Sequence, residues 1–270
     1  MKRNILQYLE ESAAKAPDKR AYFSETISMT YGEMLTNSKA IGTKLIKKLD
    51  VVSRPVMVFM DKSPLCLAAF WGVVYSRNFY VPCDTSMPEY RIGLIVENLK
   101  PAAVITDMAH YDDARKFSSQ VFLYEEMVET AIDDELIQNI RRDSIDTDPV
   151  YVLYTSGSTG VPKGVVVCHA SLIDYVEDFC NEIPLKEDDI IANQAPFYFD
   201  ASLIDIYCTL KLTATMGIVP LEYFSLPLKL LEYLENNGIT AIRWVPSGLF
   251  DLLLYESLCN ECVVIGCESV

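Results

Sequence analysis

The sequence predicts an α/β fold of mostly parallel sheets flanked by helices. Three observations predict it. Short apolar runs rich in Val and Ile alternate with helical patterns along the chain. Helix-start and helix-stop signals separate them. Half of the 270 residues are hydrophobic, enough to cover sheets on both faces.

Taken in order, Thr30 and Glu33 make a capping box that opens a helix, with Leu35, Ile41, Leu45 and Leu49 near one face. Residues 56–60 form a short apolar strand. Ser63 and Pro64 then cap a second helix to about Tyr75, apolar nearly all round and therefore buried. Residues 103–106 and 121–123 read as further strands. Residues 125–148 carry nine acidic residues and read as a solvated helix and connector, a boundary between sub-lobes of about 1–145 and 150–270. Pro227 opens a helix that stops at Asn237 and Gly238. A strand over 239–245, a helix over 249–258 capped by Pro246 and Ser247, and a strand over 263–265 complete the alternation.

A net charge of −15 repels phosphate backbones and argues against nucleic acid as partner. The longest apolar run, LCLAAFWGVVY over 65–75, is too short to span a bilayer, and the first twenty residues lack the apolar stretch of a signal peptide. No membrane insertion is expected. Eight cysteines scattered through apolar segments suit a reducing cytoplasm. Cys259 and Cys262 have two residues between them, with Cys267 beyond. No second such pair exists and the chain has only two histidines, His110 and His169, so no metal site is read from them.

The stretch TSGSTGVPKG over 155–164 lies between two Val-rich runs. It is not a G-x-x-x-x-G-K-[ST] loop: counting from Gly157, the second glycine position is Pro162, and Gly164 follows Lys163. Residues 165–167 are β-branched, so a strand follows the loop and no helix end faces it. What remains is a strand–loop–strand with glycines, hydroxyls and one cation. Glycine lets backbone amides approach a ligand, successive amides form an anion nest, and Lys163 adds charge; the set suits a polyphosphate.

The residues YTSGSTGVPKG over 154–164 resemble the signature loop of the AMP-forming adenylation superfamily. MTYGEM over 29–34, YVPCDTSMPEYR over 80–91 and QAPFYFDAS over 194–202 resemble three further family elements, in family order. The last is most similar to the amino-acid-activating branch, D-alanine–carrier-protein ligases and peptide-synthetase adenylation domains. The resemblance implies two sub-lobes of the large N-terminal domain of an adenylate-forming enzyme. It implies a reaction in which ATP and Mg2+ activate an amino acid carboxylate as aminoacyl-AMP, pyrophosphate leaves, and a carrier-protein phosphopantetheine or other thiol accepts the acyl group.

Carried over residue by residue, Thr155, Ser156, Gly157, Ser158, Thr159, Gly160 and Lys163 would hold the β- and γ-phosphates, with Lys163 catalytic. Asp200 would pair with the substrate ammonium; an Asp in an apolar stretch is costly to bury unpaired, and it also reads as a helix N-cap. His169, Phe199, Trp244, Pro246 and Ser247 would line the substrate pocket, His169 and Trp244 reading equally as structural residues. The family's adenine and ribose motifs, its C-terminal lid domain and most Mg2+ ligands would lie beyond residue 270. Gly266 precedes Cys267 where D-alanine ligases place Cys before Gly. The resemblance therefore implies the first part of such an enzyme, inactive alone. Two other readings stand beside it: an acyl- or aryl-acid CoA ligase, which has no use for Asp200, and a non-catalytic module that keeps the fold.

Overall fold

The computed structural model describes residues 2–155, 162–244 and 263–266. In chain order the strands are β1 (Arg20–Phe23), β2 (Ser28–Thr30), β3 (Pro55–Phe59), β4 (Phe79–Cys83), β5 (Ala103–Thr106), β6 (Val121–Leu123), β7 (Pro149–Thr155), β8 (Lys163–Cys168), β9 (Ile190–Asn193), β10 (Thr215–Ile218), β11 (Ala241–Trp244) and β12 (Val263–Gly266). The helices are α1 (Leu6–Lys15), α2 (Tyr31–Leu49), α3 (Pro64–Tyr75), α4 (Glu89–Leu99), α5 (Tyr111–Ala114), α6 (Tyr124–Val128), α7 (Asp134–Arg141), α8 (His169–Glu182), α9 (Ala201–Leu212) and α10 (Pro227–Asn236).

The strands form two sheets, ordered β12-β11-β9-β10-β1-β2 and β6-β5-β3-β4-β7-β8. Neighbours run parallel except β1–β2 and β7–β8. The fold class is as the sequence predicts. The division near residues 145–150 does not coincide with the division between sheets. β1 and β2 join the sheet built from the C-terminal strands, and β7 and β8 join the sheet built from the N-terminal ones.

One continuous core lies between the sheets. It takes Val56 and Val58 from β3, Tyr22 from β1 and Met216 from β10, and most of α3 and α9. The alternate β3 residues, Met57 and Phe59, face outward to Ile92 of α4 and Ala114 of α5. On the other sheet Ala192 and Ile242 face outward to Leu230, Leu231 and Leu234 of α10. Helices α3 and α9 thus lie under a sheet on each side, which is why both are apolar nearly all round. At α2–α3 the backbones touch: a Cβ on Gly72 would stand 2.5 Å from Ile41 Cβ, and one on Gly42 would stand 2.5 Å from Tyr75 Cβ.

The capping box forms as predicted: Glu33 N–H donates to Thr30 Oγ1 at 3.2 Å and Thr30 N–H donates to Glu33 Oε2 at 2.7 Å. Ser63 caps α3, with Pro64 in its first turn. Gly238 ends α10 at φ 60°. The predicted 249–258 helix lies outside the described residues. Among the described residues no helix is long and apolar enough to cross a membrane.

Candidate functional site

Each sheet has a place where consecutive crossovers leave in opposite directions. The chain leaves β3 for α3 on the inner side and leaves β4 for α4 on the outer side. It leaves β9 for α9 on the inner side and leaves β10 for α10 on the outer side. In parallel sheets such switch points open a crevice at the carboxyl ends of the strands. Here the two switch points face each other across a cleft of about 570 Å3, lined by Lys62 and Asp84 from one sheet and Gln194, Pro196 and Val219 from the other.

Lys62 bridges them. Its Nζ donates to the carbonyl oxygens of Asn193 at 3.0 Å and Gln194 at 3.2 Å, and lies 5.6 Å from the Phe197 ring centroid. Burial pulls the ammonium down to about 7, against the opposing charges of Asp205 and Asp84. Behind it, Asn193 Nδ2 donates to Asp205 Oδ2 at 2.8 Å, and Arg243 Nε donates to Asp205 Oδ1 at 3.1 Å. Asp205 and Arg243 are both buried. Burial raises the Asp205 carboxyl and Arg243 opposes that. Asn193 Oδ1 is buried without a partner among the described residues; turning the amide over would set oxygen against the Asp205 carboxylate.

The hairpin β7–β8 carries the predicted phosphate loop. β7 runs parallel to β4, so its Thr155 end lies at the same edge as the switch point. Thr155 and Lys163 pair across the mouth of the loop and both are exposed, with Thr155 Oγ1 3.5 Å from Lys163 O. Gly164 is required there: a Cβ would stand 2.8 Å from Val152 Cγ1 and 3.2 Å from Tyr154 Cζ. Tyr154 OH donates to Asn98 Oδ1 at 2.9 Å. Ser156, Gly157, Ser158, Thr159 and Gly160 lie outside the described residues.

Asp200 caps α9, its Oδ1 accepting from Ala201 N–H at 2.8 Å. It is exposed, which corrects the expectation of a carboxylate buried in an apolar stretch. The buried carboxylate is Asp205, one turn on, and a protein cation already compensates it. Asp200 nonetheless stands by the hairpin: Tyr151 of β7 is raised by burial, then by Tyr207 and by the Asp200 charge. Asp200 therefore acts on Tyr151, four residues before Thr155 along β7. Phe199 is 52% exposed beside Asp200, its ring 4.8 Å from that of Tyr198.

Two predicted pocket residues make structural contacts. His169 follows β8, and β8 runs back from the loop, so six extended residues separate His169 from the loop mouth, about 20 Å. Its Nδ1 accepts from Ile5 N–H at 3.1 Å, and the Asn4 amide lies 3.4 Å from Nε2. The ring is buried and its pKa falls to about 4, chiefly through burial. Of its two readings, the structural one matches these contacts. Trp244 packs with the α10 cluster, while its neighbour Arg243 turns to α9. Pro246, Ser247, Cys259, Cys262 and Cys267 lie outside the described residues.

Sequence reasoning passed over Lys62, Asn193, Asp205 and Arg243. A signal was present: one Asp inside the apolar run ASLIDIYCTL over 201–210, and one Arg inside AIRWV over 241–245. Two opposite charges in apolar elements imply each other.

The AMP-binding enzyme family model matches residues 9–261. The chain belongs to that family. It is 30% identical to a D-alanine–D-alanyl carrier protein ligase of Bacillus velezensis over 90% of this chain and 48% of that protein. It is 30% identical to the corresponding ligase of Staphylococcus aureus over 96% of this chain and 51% of that protein. The chain thus spans about half the length of the curated relatives it matches. The fold matches the nonribosomal peptide synthetase FmoA3 in its alpha-methyl-L-serine-AMP-bound form, with a TM-score of 0.83 and 25% identity, over 95% of this chain and 28% of that one.

Proposed function

We propose that this AMP-binding chain supplies the phosphate loop and amine anchor of a ligase. The ligase activates an amino acid with ATP, releases pyrophosphate, and passes the aminoacyl group to a carrier-protein thiol. The observation that carries the reading is that the Thr155–Lys163 mouth lies at the strand edge where the two switch points face each other, with Asp200 opening α9, the crossover that leaves β9 there. Both relatives named above are carrier protein ligases, and the structural neighbour holds an aminoacyl-AMP, which supports the same reading.

In this reading the substrate carboxylate attacks the α-phosphorus of ATP and pyrophosphate leaves. Lys163, the Thr155 hydroxyl and the residues of the loop stabilise the charge that the leaving group develops. Asp200, exposed at the start of α9, accepts the substrate ammonium with the oxygen that does not cap the helix. Magnesium accompanies ATP in such chemistry. The described residues at the loop mouth are a hydroxyl and an ammonium, and among the described residues no group of three or more His, Cys, Asp or Glu side chains is arranged to hold a metal. No magnesium ligand is assigned to them.

The test is ATP–pyrophosphate exchange by the full-length gene product with D-alanine, the L-amino acids, benzoate and acetate. Exchange with one amino acid supports the reading and names the substrate. Exchange only with benzoate or acetate removes Asp200 from its role and moves the protein to the acyl- or aryl-acid CoA ligases. No ATP binding at all supports a non-catalytic module.

A further inference from the structure

Two thiols away from the loop and the cleft lie against each other. Cys180, near the end of α8, and Cys208, in α9, have their Sγ atoms 3.1 Å apart. Both are free. Cys180 is half-buried, packed at the edge of the core with part of its surface exposed; Cys208 is fully buried within the core. The pair is asymmetric in charge as well. Contact with Cys208 lowers the Cys180 thiol, and Lys211 adds to this against burial and the Glu177 carboxylate. Contact with Cys180, then burial, raises the Cys208 thiol. Lys211 is held in place by Glu177, its Nζ donating to Glu177 Oε2 at 2.6 Å. An accessible, more acidic thiol beside a buried one is the arrangement of an attacking and a resolving cysteine.

We propose that Cys180 and Cys208 form an oxidation site that takes a hydroperoxide and closes to a disulfide between α8 and α9. The Cys180 thiol gives up its proton, its sulfur attacks a peroxide oxygen, the O–O bond breaks, and the departing alkoxide or hydroxide takes that proton as alcohol or water; Cys180 becomes a sulfenic acid. Cys208 Sγ, already in contact, attacks the Cys180 sulfur. The S–S bond forms, the S–O bond breaks, and the departing hydroxide takes the Cys208 proton as water. Two thiols lose two electrons and the peroxide bond gains two. Closure asks the sulfurs to approach by only about 1 Å, to the ordinary disulfide length of about 2.05 Å. The other described cysteines are unlike this pair. Cys66 and Cys83 are buried and their thiols are pushed up by burial, and Cys168 has the Ser171 hydroxyl, not a thiol, at 3.4 Å. The inference does not depend on the ligase reading.

The experiment treats the reduced, purified chain with stoichiometric hydrogen peroxide, blocks remaining thiols and maps peptides by mass. The expected result is a cross-linked peptide joining Cys180 to Cys208, about 2 Da lighter than the two thiols and restored by dithiothreitol. In C208S, Cys180 should stop at a sulfenic acid that dimedone traps. A wild-type map with Cys180 as sulfinic acid and Cys208 still a free thiol would overturn the proposal. So would disulfides among the other cysteines only, or no disulfide. If C208S does not fold, the wild-type map decides alone.

Discussion

Asp200 separates the ligase reading from its competitors. Asp200→Ala should abolish amino-acid-dependent exchange in the full-length product, by 100-fold or more, while ATP binding stays within a few-fold. An unpaired ammonium in a site built for it loses a charge-assisted contact, whereas the loop mouth is untouched. Stability should fall by only about 1 kcal/mol, the worth of the α9 cap, because the side chain is exposed. Equal exchange by wild type and variant would refute the assignment. His169 makes the opposite case, a residue legible in the sequence but with its role set elsewhere. In the native chain its pKa falls to about 4, from 6.5 in the unfolded chain. Between these values the unfolded state binds the extra proton. The stability it contributes is therefore complete above pH 6.5 and is lost as pH falls toward 4, on the order of 3 kcal/mol. Urea midpoints at pH 7, 5.5 and 4.5 should fall more steeply for wild type than for His169→Gln; parallel curves would remove His169 from acid sensitivity.

At the scale of elements, the helix caps were legible because they are local. Thr30, Ser63 and Gly238 act on backbone groups within a few residues, and each ends or starts its helix where the spacing predicts. The α2–α3 contact was not legible, since nothing near Gly42 or Gly72 in sequence records the other helix. The contact gives a test. Alanine favours a helix interior over glycine by about 1 kcal/mol, so Gly72→Ala would stabilise an exposed helix. Here the new Cβ meets Ile41 Cβ at 2.5 Å, a branched and rigid neighbour. Overpacking should win, leaving the variant less stable by roughly 1–3 kcal/mol in urea. A stabilised variant would mean that the helices separate freely.

At the scale of the molecule, Lys62 is the described polar tie between the two switch points. Its ammonium is depressed from 10.5 to about 7 by burial. Between pH 7 and 10.5 the unfolded chain holds this proton more tightly than the native one. Native stability should therefore rise with pH across that window, by roughly 2 kcal/mol between pH 7 and 9. Subtracting the curve of Lys62→Met isolates the effect from tyrosines that titrate above it, and a flat difference would show that the ammonium keeps its proton. The sequence by itself determined the alternation of strands and helices, the capped helix starts, the signature hairpin and the family, because each rests on residues close together in the chain. Tertiary structure alone decided that β1–β2 and β7–β8 exchange sheets, that Asp200 is exposed while Asp205 is buried against Arg243, and that His169 serves the N-terminal helix. Those outcomes depend on which face of which sheet a segment meets, and a side chain's solvation is a property of its partners, set only when segments far apart in sequence close on each other.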